Sequence, residues 1–166
     1  FRVVNGQRGK LGLFKLDDKS GAIDARVEQA ALEQYRHLLK DDELIIVMGK
    51  VMFDRFSGGL QLSIVQLWDL PTARCRFGKF LRVAVDGKPP QVRRLLSEFP
   101  PQVEQTERGE LLRGLPVRFL IERRGGAGGV IAQLQLGDEA RFFPSDAALA
   151  SWSAQADEGR AMIVYE

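Results

Sequence analysis

Two folded units in series are predicted by the 166-residue sequence: a small curled β-sheet with one inserted helix, then an α+β unit. Three observations carry that expectation. Residues 11–27 alternate, turn and alternate again. A single Gly interrupts the apolar strand pattern of 43–53. Beyond the Pro-containing stretch around residue 71, strand-period and helix-period segments follow one another. In residues 11–17, Gly12, Phe14 and Leu16 fall on one face, and Leu11, Leu13, Lys15 and Asp17 on the other. That is the period of a strand with one buried side. Asp18-Lys19-Ser20-Gly21 is turn chemistry, with the positive φ expected at Gly21. Ile23, Ala25 and Val27 then repeat the inward face, leaving Asp24, Arg26 and Glu28 outward.

Composition bounds the function. A hydrophobic fraction of 45% suits a folded chain. No apolar run approaches the ~20 residues of a membrane span. The chain opens on Phe1 within a strand pattern, as a fragment of a longer protein would. The lone cysteine, Cys75, excludes an internal disulfide and points to a reducing, cytoplasmic compartment. The net charge of +2 argues against a dominant basic surface, though a local basic face remains open.

Along the first unit, residues 1–4 read as the end of a strand and Asn5-Gly6 as a turn. The hairpin follows. Ala31, Leu32, Tyr35, Leu38 and Leu39 recur at helical spacing within 29–40. Residues 43–53 are a long strand in which Gly49 signals a bulge or bend. Residues 54–59 turn, and 60–67 alternate again. Five strands with a helix between the third and fourth are the signature of the OB-fold barrel. We place this unit at 1–70.

Such barrels bind oligonucleotides through strands 2 and 3 and the loops joining strands 1–2 and 4–5. Arg8 and Lys10 fall in the first of those loops. Lys15 and Arg26 point outward from strands 2 and 3, and Lys19 lies in the turn between them. Arg55 and Phe56 fall in the last loop. Cations track phosphates and a ring stacks on a base. The plain alternative is a set of ordinary solvated cations.

Residues 71–78 read as a linker or one helical turn, with a small basic patch, and 79–166 as the α+β unit. Its expected elements are a strand at 80–85, a helix begun by Lys88-Pro89-Pro90, a polar mobile loop at 102–114, and strands at 116–122 and 130–136. The Gly-rich 125–129 joins those two as a hairpin turn. A short strand at 140–143, a helix capped by Ser145 and a last strand at 161–165 complete it. Splitting after Arg76 leaves 12 basic and 12 acidic residues in the second part, which suits protein binding better than nucleic-acid binding.

No catalytic constellation emerges. Asp17 and Asp18 face opposite ways on a strand and fit a turn better than a metal clamp. His37 is the only histidine and cannot build a His-rich metal site. Cys75 has no evident base partner, and GGAGG lacks the Lys of a phosphate loop. Neither a catalytic residue nor a cofactor is expected in this chain.

The segments LGLFKLDDKSG, ALEQYRHLLKDDELIIVMGKV and FDRFSGGLQLSIVQLWDL resemble the OB domain of the bacterial replicative polymerase family, the DNA polymerase III alpha subunit. LQLGDEARFFPSDAAL and AMIVYE resemble that family's extreme C-terminal domain. The resemblance implies a fragment of a DNA-directed DNA polymerase whose Mg2+-dependent catalytic centre and sliding-clamp contact lie upstream. It implies single-stranded template DNA at the OB domain, with Arg8, Lys10, Lys19, Arg55 and Phe56 in DNA-facing loops. It further implies that the C-terminal domain docks the tau subunit of the clamp loader in a cytoplasmic, nucleoid-associated replisome. Trp152 on the helix after Ser145, and Met162, Val164 and Tyr165 on the last strand, are the candidate tau contacts; Trp152 also fits a core position. Two rivals remain: an anticodon-binding OB domain of a class II aminoacyl-tRNA synthetase, and a module that binds protein only.

Overall fold

A computed structural model describes residues 1–7, 9–88, 90–106, 109–125 and 128–166. The chain divides into two compact units, Phe1–Leu70 and Pro71–Glu166.

The first unit holds β1 (Arg2–Gly6), β2 (Gly9–Asp17), β3 (Ala22–Glu28), helix α1 (Gln29–Tyr35) with a 3-10 turn at Arg36–Leu38, β4 (Ile45–Asp54) and β5 (Gly59–Asp69). The strand order is β1-β2-β3-β5-β4, with β3 and β5 parallel and the other pairs antiparallel. This is the OB-fold order with its helix where the sequence places it. Closure is not seen. Every residue of β1 is in register with β2, and no ladder joins β1 to β4 among the described residues. The expected barrel is therefore an open, curled sheet here.

The hairpin follows its alternation. Gly12, Phe14 and Leu16 pair with Val27, Ala25 and Ile23 on the inner face. Ala25, Val27, Leu32, Leu39, Ile64 and Leu67 form the core, so α1 covers the sheet through Leu32. The β1–β2 turn is tighter than Asn5-Gly6 suggests. Asn5 and Gly6 still pair, with Lys10 and Gly9. At the β2–β3 turn, Lys19 rather than Gly21 has the positive φ, +70°. Side chains explain the choice. Asp17 Oδ1 accepts from the Lys19 amide at 2.7 Å, and Asp18 Oδ1 accepts from the Ser20 and Gly21 amides at 2.9 and 3.1 Å. The Ser20 hydroxyl donates to the same Asp18 oxygen at 2.6 Å. These bonds hold the Asp18 carboxyl below its ordinary pKa.

Gly49 marks the irregularity the sequence indicates. The β4–β5 register shifts between Met48 and Gly49, so that Met48 faces Gln66 while Gly49 faces Ile64. Val65 is the unpaired residue. A Cβ at 49 would lie 2.3 Å from the Ser63 carbonyl oxygen, so no side chain fits.

Helix α2 (Leu70–Phe77) starts at the last residue of the first unit and forms where a linker or one helical turn is expected. Its Ala73 is buried, and Arg74 donates to the Pro144 carbonyl at 3.0 Å and to Asp146 at 2.6 Å; a helix so anchored is no free connector. Then come β6 (Phe80–Val85), α3 (Val92–Glu98), β7 (Gln102–Thr106), β8 (Gly109–Arg113), β9 (Leu115–Gly125), β10 (Gly128–Gln135), β11 (Arg141–Phe142), α4 (Asp146–Gln155) and β12 (Ala161–Val164). Pro90 precedes α3 rather than sitting inside it, and Pro89 lies outside the described residues. The expected loop at 102–114 is a β7–β8 hairpin, with Gln105 bonded to Glu110 and Arg113 paired with Glu104 across it. Nearly every residue of the two strands is exposed, so no buried face imposes the apolar alternation that would have revealed them. The middle of the Gly-rich 125–129 turn lies outside the described residues.

The main sheet runs β10-β9-β6-β12, with β6 and β9 parallel. One face packs on α3 and α4: Leu81, Val83, Val117 and Phe119 share a core with Leu95, Ala148 and Trp152. Ser145 caps α4, its hydroxyl accepting from the Ala148 amide at 3.1 Å. β10 is an edge strand with Val130, Ile131 and Leu134 exposed.

Two outcomes test this account. Gly49→Ala drives a methyl into backbone and costs roughly 1–3 kcal/mol; an unchanged thermal midpoint by circular dichroism would show that the bend absorbs it. The Asp18 turn sets a pH response. Its native pKa is depressed, so its contribution is present above about pH 4 and is lost as pH falls through the native value. Asp18→Asn should flatten the fall in melting temperature below about pH 4; an identical profile would remove Asp18 as a cause.

Candidate nucleic-acid interface

The sheet pairing of the first unit orders its outer face. Arg2 faces Leu13, Leu13 faces Arg26, Arg26 faces Ser63, and Ser63 faces Lys50. Directly opposite residues share a face, so these five form one row across all five strands. At ~4.8 Å between strands, the three cations lie roughly 10 Å apart along it. The sequence reading names Arg26 from this row and misses Arg2 and Lys50. Lys50 immediately follows the register shift, so its partner cannot be read without knowing where the irregularity falls. Arg2 belongs to a strand whose register is set only by pairing with β2.

The next row is Lys15, Asp24, Gln61 and Met52. Lys15 is exposed there, but its cross-strand neighbour is an acid. The face is mixed in charge, with cations prevailing on one row only.

An open cleft of about 780 Å³ brings three expected residues together: Lys10 from the β1–β2 side, Arg26 from β3 and Phe56 from the β4–β5 loop. Gln7, Leu11, Glu28, Gln29, Ala30 and Glu33 complete its lining. Lys10 is exposed, with its amide donating to Gln29 Oε1 at 3.2 Å. Arg26 is half-buried; its Nε lies 3.5 Å from Ser63 Oγ. Phe56 is fully exposed, at 102%.

An exposed ring needs a reason to stay in place. Asp54 supplies it by accepting from the Phe56 and Ser57 amides, each at 3.2 Å. Bonds from Ser57 and Phe56, with a smaller contribution from the Arg26 charge, hold the Asp54 carboxyl below its ordinary pKa. The loop is therefore ordered by its own first residue, and Phe56 is presented rather than packed.

Of the remaining expected residues, Lys15, Lys19 and Arg55 do not line this cleft. Arg55 is exposed on the same loop, and Lys19 lies in the β2–β3 turn. Arg8 lies outside the described residues. An ion pair of the first unit joins the Phe1 amino group to Asp41 at 2.7 Å. Groups of three or more His, Cys, Asp or Glu able to hold a metal are absent among the described residues.

In the second unit, Trp152 is 0% exposed, in the core position that the sequence also allows and not at the surface as a tau contact. Its ring lies between Phe142 and Phe119, at 5.7 and 6.4 Å between centroids. Such pairs add about 0.5–1.5 kcal/mol each beyond area burial, which explains why α4 turns this residue inward. Met162 and Tyr165 are exposed and Val164 half-buried. No helix among the described residues is long and apolar enough to cross a membrane.

Residues 2–70 match the tRNA anticodon family, described as an OB-fold nucleic acid binding domain. The chain is also similar to DNA polymerase III subunit alpha. It is 32% identical over 147 residues to the protein of Escherichia coli O157:H7, covering 87% of this chain and 12% of that one. The Vibrio cholerae protein is 33% identical over 150 residues, covering 89% and 12%. That of Pseudomonas fluorescens is 28% identical over 174 residues, covering 99% and 13%. Residues 2–70 are thus similar to an OB-fold nucleic acid binding domain, within a chain that spans 12–13% of the length of these polymerase subunits.

Proposed function

We propose that this chain is a non-catalytic segment of a replicative DNA polymerase. Its first unit holds single-stranded template DNA, and its second tethers the polymerase to the tau subunit of the clamp loader. The polymerase chemistry, its Mg2+ and the sliding-clamp contact belong to the rest of the longer protein. The observation that carries the first half is the meeting of Lys10, Arg26 and Phe56 in one cleft of an OB-fold sheet. Arg2 and Lys50 extend that site along the cross-strand row. Phosphates follow the cations while one base stacks on Phe56. The match to the tRNA anticodon family supports a second reading, in which the same face takes splayed bases of a structured RNA.

Titrating the full chain with a fluorescent oligo-dT strand tests the groove. Three or four phosphate contacts give a slope of log K on log salt of about −2 to −3; a salt-independent affinity would sink the phosphate track. Phe56→Ala should weaken binding by about 1–3 kcal/mol, and Arg55→Ala/Phe56→Ala by no less. Wild-type affinity in the double variant would remove the loop from the site. Tighter binding to an RNA hairpin than to oligo-dT would favour the second reading.

Calorimetry with the C-terminal region of tau tests the tether. Heat of binding saturating at one tau per chain is the expected outcome. A folded chain that evolves no heat at several temperatures has no tau site.

A further inference from the structure

We infer that the uncovered face of the second unit's sheet grips a carboxylate-bearing protein segment between Arg82 and Arg118. This rests on the proposed reading of that unit as a protein-binding module. The two arginines are register partners on the parallel strands β6 and β9. Their side chains leave the sheet on the same side, about 4.8 Å apart at the backbone. Like charges directly opposite are destabilising unless something answers them. Among the described residues, neither has a carboxylate within 4.0 Å. Glu122 shares their face but is engaged by Arg160 at 3.2 Å.

Both guanidinium groups are held by neutral neighbours. Arg118 donates to Gln135 Oε1 at 3.0 Å and stacks 3.9 Å over the Phe80 ring. Arg82 lies 2.9 Å from Met162 Sδ. Two positioned planar forks suit the paired oxygens of a carboxylate. Charge complementarity therefore calls for an acidic side chain. Phe80, Val164 and the 55%-exposed Met162 border the pair and offer apolar contact to that acid's neighbours. A nucleic acid fits less well. The row reads Met162, Arg82, Arg118, Gln135, so neutral residues end it on both sides and no cation continues a phosphate track.

The test uses the full chain and fluorescence anisotropy. The probes are a labelled ten-residue peptide of alternating Glu and Leu, its Gln-for-Glu counterpart, and labelled oligo-dT. The Glu peptide should bind at least about tenfold tighter than the Gln peptide. Arg82→Gln and Arg118→Gln should each erase most of that preference while leaving oligo-dT affinity unchanged. Arg118→Lys should lose part of it, because an ammonium cannot make the paired contact. Arg82 is exposed, so Arg82→Gln keeps the test decisive if Arg118→Gln fails to fold. Equal binding of the two peptides, or a full preference in Arg82→Gln, overturns the inference. Weaker oligo-dT binding in the variants overturns it in favour of phosphate. Tau binding undiminished in Arg82→Gln overturns this surface as the tau site while the tether stands. A wild-type chain that selects the Glu peptide but ignores tau supports the surface and removes the tether.

Discussion

The backbone of Ser63 lies where a side chain at position 49 would have to be. That close approach lets β4 and β5 bend across each other, and the skipped residue Val65 changes which side chains of β5 face inward. Leu62 and Ile64 point to the core before the shift, and Leu67 points there after it. Without the shift, either Ile64 or Leu67 would face solvent, because strand side chains alternate with period two. The same contact fixes the outer face. Ser63 and Lys50 sit opposite one another beside Gly49, so core and cation row share one backbone constraint.

Much of the first unit is legible in sequence because each strand buries one face only. The β2–β3 hairpin has unambiguous parity, so the orientations of Lys15 and Arg26 follow. Gly49 stands out in an otherwise apolar strand. What escapes is whatever depends on register between distant strands. Arg2 and Lys50 join Arg26 only through four successive pairings. Turn conformation escapes for a different reason. Gly21 is the residue best suited to positive φ, but the hydrogen bonds of Asp17 and Asp18 place that conformation at Lys19.

The second unit is harder to read. Its β7–β8 hairpin is exposed on both faces, Val103, Leu111 and Leu112 included, and so lacks the one-sided apolar pattern of a packed strand. Its α4 carries Trp152, which composition places equally well in a core or an interface; aromatic packing against Phe142 and Phe119 decides for the core. The sheet's opposite face holds arginines in the positions where a doubly covered sheet would hold apolar residues. Only one side of this sheet is therefore built to be buried by the chain's own helices.

The Asp54 clamp has an entropic consequence. Ordering the backbone of one residue costs about 1–2 kcal/mol. In the β4–β5 loop that ordering is already complete, through two bonds to one carboxylate. In the proposed reading, a base arriving at Phe56 would meet a ring whose backbone these two bonds already restrain. More of the ordering cost of that encounter would then fall on the incoming strand.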